Sequence, residues 1–263
     1  MSMSESSSTP DIITTLLTRR SIRKFTAEPV APEIVDVLEQ AAQRAPSSQY
    51  LNDWSAIRVE DSDLKHRVAE IGRQHYIAEA PLLYVFVIDE RRNAMIARRR
   101  GIGIEDGSFT LTTSYRFTQA QNDATLALHA MDTAANAFGL GTVVLGSILN
   151  DVAGLIEALR LPRYTYPVLG LAIGHADQRP ALKPRLPREA QFFTDHYPQD
   201  DETLLDGYID DFDDAVHHYY DLRNADRPVD ALSQQIATAA VSTDVLGKGV
   251  SQPAKDQGFS LDR

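Results

Sequence analysis

The stretch Gln119–Leu145, QAQNDATLALHAMDTAANAFGLGTVVL, decides how this chain folds. Alanines at 120, 124, 127, 130, 134 and 137 recur among Leu126, Leu128 and Met131, so the segment is apolar around much of its circumference and slim enough for close backbone approach. This predicts a central buried helix over Gln119–Phe138, shared between subunits. Gly139-Leu140-Gly141 stops it, and the β-branched run from Thr142 to Leu145 begins a strand at once.

Outward from that helix, Ile12, Ile13, Leu16 and Leu17 fall at helical spacing and lead into the cationic run Arg19-Arg20-Ser21-Ile22-Arg23-Lys24-Phe25. Residues 31–44 read as a second helix with Pro32 in its first turn, and 64–71 as a third. Ala56–Val59, Leu82–Ile88 and Val168–Ile173 read as strands, and 151–159 as a helix ended by Leu161-Pro162. Residues 89–118, with Arg91-Arg92 and Arg98-Arg99-Arg100 ahead of a Gly-rich and then Ser/Thr-rich stretch, sustain neither period and are expected to form a mobile excursion. Beyond 173 come Lys183-Pro184-Arg185, an acidic stretch from Asp195 to Asp214 and a polar tail with little apolar periodicity. The expected organisation is a disordered lead-in over 1–10, then a single α+β domain over 11–263 with an acidic C-terminal extension from about 195.

Charge and composition limit the function. The 263 residues carry 26 Lys+Arg against 37 Asp+Glu, a net charge of −11, which argues against nucleic-acid or anionic-membrane partners. With no cysteine, thiolate nucleophiles, Fe–S clusters and Cys-zinc sites are excluded, and a reducing compartment is suited. The longest apolar run, 82–88, is about a third of a membrane span, and residues 1–11 lack a basic region followed by an apolar one. A cytoplasmic protein is expected. The seven histidines form no HExxH, Gly101 and Gly103 lack a third glycine at the dinucleotide spacing, and no GxSxG occurs.

Three clusters could carry chemistry. Arg19, Arg20, Ser21 and Arg23 suit a phosphate, since guanidinium forks give charge-assisted, often bidentate hydrogen bonds; a solvated helix C-terminus would use the same residues. Lys183 and Arg185 flank a proline that stiffens their spacing, as a plain surface loop also could. Ser47, Ser48 and Gln49 offer uncharged donors suited to a sugar, a ribityl chain or a phosphate, or to an ordinary capping turn.

Taken in order, RRSIR, APSSQ, GLGTVVLGS and LKPRLP resemble the flavin-dependent nitroreductase superfamily, and within it the oxygen-insensitive NADPH nitroreductases and NADPH-flavin oxidoreductases. The resemblance covers roughly Leu16–Tyr220. It implies a mixed, mainly antiparallel sheet flanked by helices and completed as a homodimer, with FMN at the interface. Arg19 and Ser21 would then face the FMN phosphate, and Arg20 and Arg23 the phosphate or the N1/O2 edge. Lys183 and Arg185 would complete the phosphate cage. Ser47, Ser48 and Gln49 would reach the FMN from the partner subunit. Gln74 would contact the flavin or its ribityl chain, and Val144, Leu145, Gly146 and Ser147 would form the segment facing N5. Gln49 replaces a common third serine and Ser147 a common second glycine.

A phosphate dianion in an acidic protein needs about four to five local cations, which the two basic motifs supply. A cation at N1/O2 would offset the negative charge that reduction leaves there. The protein then needs no acid–base residue or metal of its own. NADPH is the implied donor, with Arg223 and Arg227 near the family's positions for its 2′-phosphate; they could equally neutralise their acidic neighbours. A family arginine after the N5 segment is Leu149 here, and Arg98-Arg99-Arg100 could substitute. The implied activity is two-electron, ping-pong reduction of small acceptors such as nitroaromatics, quinones or free flavin. A dedicated flavin reductase and a non-catalytic FMN-binding protein are the alternatives.

Overall fold

The structure, a computed structural model, describes residues 12–105, 109–200, 202, 207–219, 229–246 and 248–262. The expected lead-in over 1–10 lies outside the described residues, as do Arg223 and Arg227. The chain divides into two compact units, residues 1–178 with 247–263, and residues 179–246.

The first unit is built on four strands, β1 (Trp54–Arg58), β2 (Leu82–Asp89), β3 (Gly141–Leu145) and β4 (Thr165–Gly174), in the order β1-β2-β4-β3 with every neighbouring pair antiparallel. Parallel pairing among the described residues is confined to isolated bridges, of which Ser21–Thr142 lies on the open edge of β3. Alternation along β2 explains the layering. Leu83, Val85 and Val87 pack with α3 (Ser62–Gly72), α4 (Tyr76–Glu79) and α7 (Val152–Ala158). Tyr84, Phe86 and Ile88 face the other way, toward α2 (Pro32–Gln43) and the long helix α6 (Ser114–Ala137). Both faces of the sheet are thus covered, and α6 presents Ala120, Ala124, Ala127 and Ala135, all fully buried, to the strands. The expected α+β class and mainly antiparallel sheet are what the chain adopts.

Three expectations need correcting. Residues 89–118 are not one irregular excursion: Glu90–Arg99 is a helix, α5, and the long helix starts at Ser114 rather than Gln119. Asp89 caps α5 by accepting from the Arg92 N–H (3.0 Å), and the face of α5 turned inward uses Glu90 and Asn93 beside Ala94. A helix buried through polar residues leaves no apolar stripe to read. The C-terminal tail is likewise not all irregular. Helices α8 (Ile209–His217) and α9 (Leu232–Val241) belong to the second unit, and α10 (Ser251–Asp256) to the first. Ala254 and Phe259, the latter edge-on to Phe117 with ring centroids 5.1 Å apart, bury the tail in the first unit's core. Two anchors carry no periodicity. Within the second unit, Asp213 joins α8 to α9 by accepting from the N–H and hydroxyl of Ser233, and these bonds hold its carboxyl below the usual range. No helix among the described residues is long and apolar enough to cross a membrane.

Candidate active site

After α1 (Ile12–Thr18), the chain carries its cationic run onto the edge of β3. The Ile22 N–H donates to the Thr142 carbonyl (2.8 Å), the Thr26 N–H to the His175 carbonyl (2.9 Å), and Lys24 pairs with Asp177 (2.6 Å). The approach is close enough that a Cβ on Gly141 would stand 2.8 Å from Ile22 side-chain atoms. Arg19 pairs with Asp132 of α6 (Nε to Oδ2, 3.0 Å), which is buried and also accepts from Thr142 Oγ1 and, at 3.2 Å, from Asn136 Nδ2. Arg20 donates from Nη1 to the Thr18 carbonyl (3.0 Å), while its buried Nε has no acceptor. Arg23 is half-buried in the same run.

The segment expected to face the flavin ring, Val144–Ser147, closes β3 on that edge, with Val144 and Gly146 exposed. Ser147 Oγ is buried and unpartnered, 3.3 Å from where a Cβ on Gly72 would lie. Gln74 follows two residues after Gly72, and its Oε1 accepts from the Tyr76 hydroxyl. The cationic run, the β3 exit and the α3 exit therefore share one side of the first unit.

The hydroxyl loop lies on the other side, leading into the opposite edge strand β1. Three strand spacings, roughly 14 Å, separate β1 from β3. The loop is strained: Gln49, Tyr50 and Asn52 have φ of 51°, 60° and 49°, a conformation costing non-glycine residues roughly 1–2 kcal/mol each. Neighbouring elements hold it there. Asp123 of α6 accepts from both the N–H (2.8 Å) and the hydroxyl (2.9 Å) of Ser48. Arg116 donates to Gln49 Oε1 (2.9 Å), and Arg92 caps the Asn52 and Trp54 carbonyls. Ser47 Oγ accepts from the Asn52 N–H (2.8 Å) inside the loop.

Beneath the loop lies a group of carboxyls. Asp53 and Glu90 are fully buried, and both Asp53 oxygens and Glu90 Oε1 accept no hydrogen bond. A buried carboxylate without donors is costly, so protons are retained. Burial, reinforced by the charge and hydrogen bonding of Asp123, pushes Asp53 up to about 7. Burial also pushes Glu90 up to about 8, against the Asn93 hydrogen bond and the charge of Arg116.

Lys183 and Arg185 stand exposed in the second unit, where Arg185 donates to the Lys183 and Pro184 carbonyls. Sequence reasoning missed Asp123, Asp132, Asp53, Glu90 and Arg116. The first two had a signal, being carboxylates on a helix apolar around most of its circumference, where an unpaired charge is not tolerated. The donor set at the β3 edge suits an anionic, hydrogen-bonding cofactor, because Arg20 Nε and Ser147 Oγ are buried donors with no protein acceptor.

Residues 16–175 match the Nitroreductase family, and residues 183–262 the Nitroreductase family C-terminal domain. The chain is 36% identical to an FMN reductase [NAD(P)H] of Bacillus subtilis, over 87% of this chain and 90% of that one. The solved structure of Bacillus megaterium NfrA2 superposes with a TM-score of 0.85 at 31% identity, over 96% of this chain and 99% of that one. An NADPH:FMN oxidoreductase from Vibrio harveyi, solved with NAD+, superposes with a TM-score of 0.79 at 26% identity, over 94% and 98%. The chain belongs to the nitroreductase family.

Proposed function

We propose that this chain binds FMN and carries two electrons at a time from NAD(P)H, NADPH by preference, to small acceptors such as nitroaromatics, quinones or free flavin in the cytoplasm. The observation that carries this reading is the pair of buried, unpartnered donors at the β3 edge, Arg20 Nε and Ser147 Oγ, beside a run of three arginines in a protein of net charge −11. When bound, the FMN supplies the two-electron carrier that no side chain of the protein could provide.

The residues hold and tune that group. Arg19, its orientation fixed by Asp132, serves the phosphate with Ser21, Lys183 and Arg185. Arg20 and Arg23 supply positive charge at the phosphate or the pyrimidine edge, and residues 144–147 and Gln74 line the ring and ribityl chain. Ser47, Ser48 and Gln49 serve a second copy's site, which their position on the opposite sheet edge favours. A homodimer would also cover Ile12, Ile13, Leu16 and Leu17 of α1, which are exposed in the single chain.

The test is the visible spectrum of the purified protein before and after NADPH is added without oxygen. A flavin band that bleaches is expected, with parallel double-reciprocal plots when an acceptor is supplied. A band that persists with NADPH and NADH alike, or a colourless protein that FMN cannot reconstitute, would overturn the reading. Arg223→Ala is expected to raise the KM for NADPH far more than that for NADH; equal effects would leave Arg223 as a balance for its acidic neighbours.

A further inference from the structure

The carboxyl group under the hydroxyl loop has no part in the reading above. Asp123, on α6, spends both oxygens on Ser48 and lies against the Asp53 carboxyl. Asp53 precedes β1 directly, so it joins the loop to the sheet, and its carbonyl accepts from the Asp89 N–H (2.8 Å). Glu90 opens α5 and accepts from Asn93 Nδ2 (3.1 Å), which also reaches the Leu51 carbonyl (3.3 Å). The charged groups facing this trio are Arg116 from α6 and Asp89 from the end of β2, the latter already paired with Arg92 (3.1 Å). From the residue just before β4 the contact is the Tyr164 carbonyl, taken by the Glu90 N–H (3.0 Å).

The charges balance only when two of the three carboxyls hold protons, and Asp53 and Glu90 are the two with oxygens that accept no hydrogen bond. Three ionised carboxylates against Arg116 would leave two uncompensated negative charges in a buried space, whereas protons on Asp53 and Glu90 leave Asp123 and Arg116 as a neutral pair. A protonated Asp53 can also donate toward Asp123, which gives one of its two otherwise unpartnered oxygens a hydrogen bond. Arg116 and Asp123 are at once the two α6 groups that hold Gln49 and Ser48. The same residues thus govern the protons and the loop's left-handed backbone.

We propose that Asp123 is a positioning residue for the flavin site, acting through Ser48, and that protons held by Asp53 and Glu90 keep the hydroxyl loop in its strained, flavin-gripping form, so that losing them loosens the loop. The proposal rests on the FMN reading, but its first readout does not. Trp54, the only tryptophan in the chain, directly follows Asp53 and stacks on Phe86 at 5.9 Å. Its fluorescence therefore reports the state of the cluster without any flavin.

The experiment is a titration of Trp54 fluorescence in flavin-free protein from pH 5 to 9, paired with FMN dissociation constants at pH 7 and pH 9. The phosphate of FMN is essentially dianionic across that second interval, so a change in affinity reports the protein. The wild type is expected to show a fluorescence transition near neutrality or just above, and to bind FMN at least tenfold more weakly at pH 9. Asp53→Asn, which keeps a donor toward Asp123 but cannot ionise, is expected to abolish most of the transition and hold the change in affinity under twofold. Glu90→Gln is the second variant and should remove the more alkaline part. Asp123→Ala should weaken FMN binding at every pH, with partial rescue in Asp123→Asn. Wild type and both amide variants superposing in fluorescence and in affinity would overturn the proposal. A fluorescence transition without FMN binding at any pH would sustain the cluster and sink the cofactor assignment instead.

Discussion

Helix α6 carries two buried aspartates, and the protein neutralises them in opposite ways. Asp132 and Asp123 are nine residues apart, two and a half turns, so they point to opposite sides of the helix and border its buried alanine stripe on either flank. Asp132 looks toward β3 and meets a cation, Arg19, with Thr142 and Asn136 completing its shell. Asp123 looks toward β1 and meets Ser48 and another carboxyl, with Arg116 as the nearby positive charge. One anchor is therefore a salt bridge and the other depends on a shared proton. The first should hold across the physiological pH range, while the second should weaken above neutrality. Because the two lie at opposite sheet edges, one helix would, in the proposed dimer, fix the cationic half of one composite site and the hydroxyl half of another.

The largest expected effect comes from breaking the salt-bridged side. Asp132→Ala strands Arg19 and Thr142 in a half-buried space and should cost about 3 kcal/mol, read as a drop in the urea midpoint relative to wild type that is of nearly the same size at pH 6 and pH 9. Loss of flavin without loss of fold should come from the cage instead: Arg19→Ala with Lys183→Ala is expected to give a folded dimer that sheds FMN on dilution. Stoichiometric FMN retained in that double variant would break the assignment.

The proton-sharing side predicts a pH dependence of definite sign. Unfolded carboxyls titrate near ~4, whereas Asp53 and Glu90 titrate at about 7 and about 8, so between these limits the folded chain keeps protons that the unfolded chain has lost. Their contribution is fully present below pH ~4 and is lost as pH rises through 7 and 8. The urea midpoint of the wild type should accordingly be lower at pH 8.5 than at pH 5.5, and Glu90→Gln should narrow the gap. An equal gap in wild type and variant would show that the general charge of −11, not this cluster, sets the slope. The smallest effect concerns strain. The Tyr50 side chain is 86% exposed at φ 60°, and the turn is held by its backbone, whose N–H donates to the Ser47 carbonyl (3.2 Å) and whose carbonyl accepts from Asn52 Nδ2 (2.9 Å), so Tyr50→Gly should stabilise by about 0.5–1 kcal/mol or be neutral.

The contrast between the two sides also marks how far the sequence could be read. Helices α2 and α3 were legible because each buries an apolar stripe of period 3.6, and strands β2 and β4 because each is apolar nearly throughout and buried on more than one face. Helix α6 was legible through the alanines that recur around much of its circumference. The cationic run and the hydroxyl loop stood out in the sequence through the resemblance of RRSIR and APSSQ to the family's motifs, since taken alone a helix end and a capping turn use the same residues. Helix α5 was not, since it buries Glu90 and Asn93 where an apolar residue would be sought. Nor were the roles of Asp123 and Asp132, which depend on contacts 75 and 113 residues away in sequence, to Ser48 and Arg19. Polar burial is satisfied by partners rather than by periodicity, so only the assembled fold reveals it.

The division of labour across α6 is tested most directly with a mixed dimer. One protomer carries Arg19→Ala and Arg20→Ala, its partner carries Ser48→Ala and Asp123→Ala, and FMN bound per dimer is measured after purification through two different tags. If each site joins one protomer's cations to the other's hydroxyl loop, both defects fall in the same site, and the mixed dimer holds one tightly bound FMN while either doubly variant homodimer holds none. A mixed dimer as depleted as the two homodimers would mean that each chain builds its own site, contrary to this account.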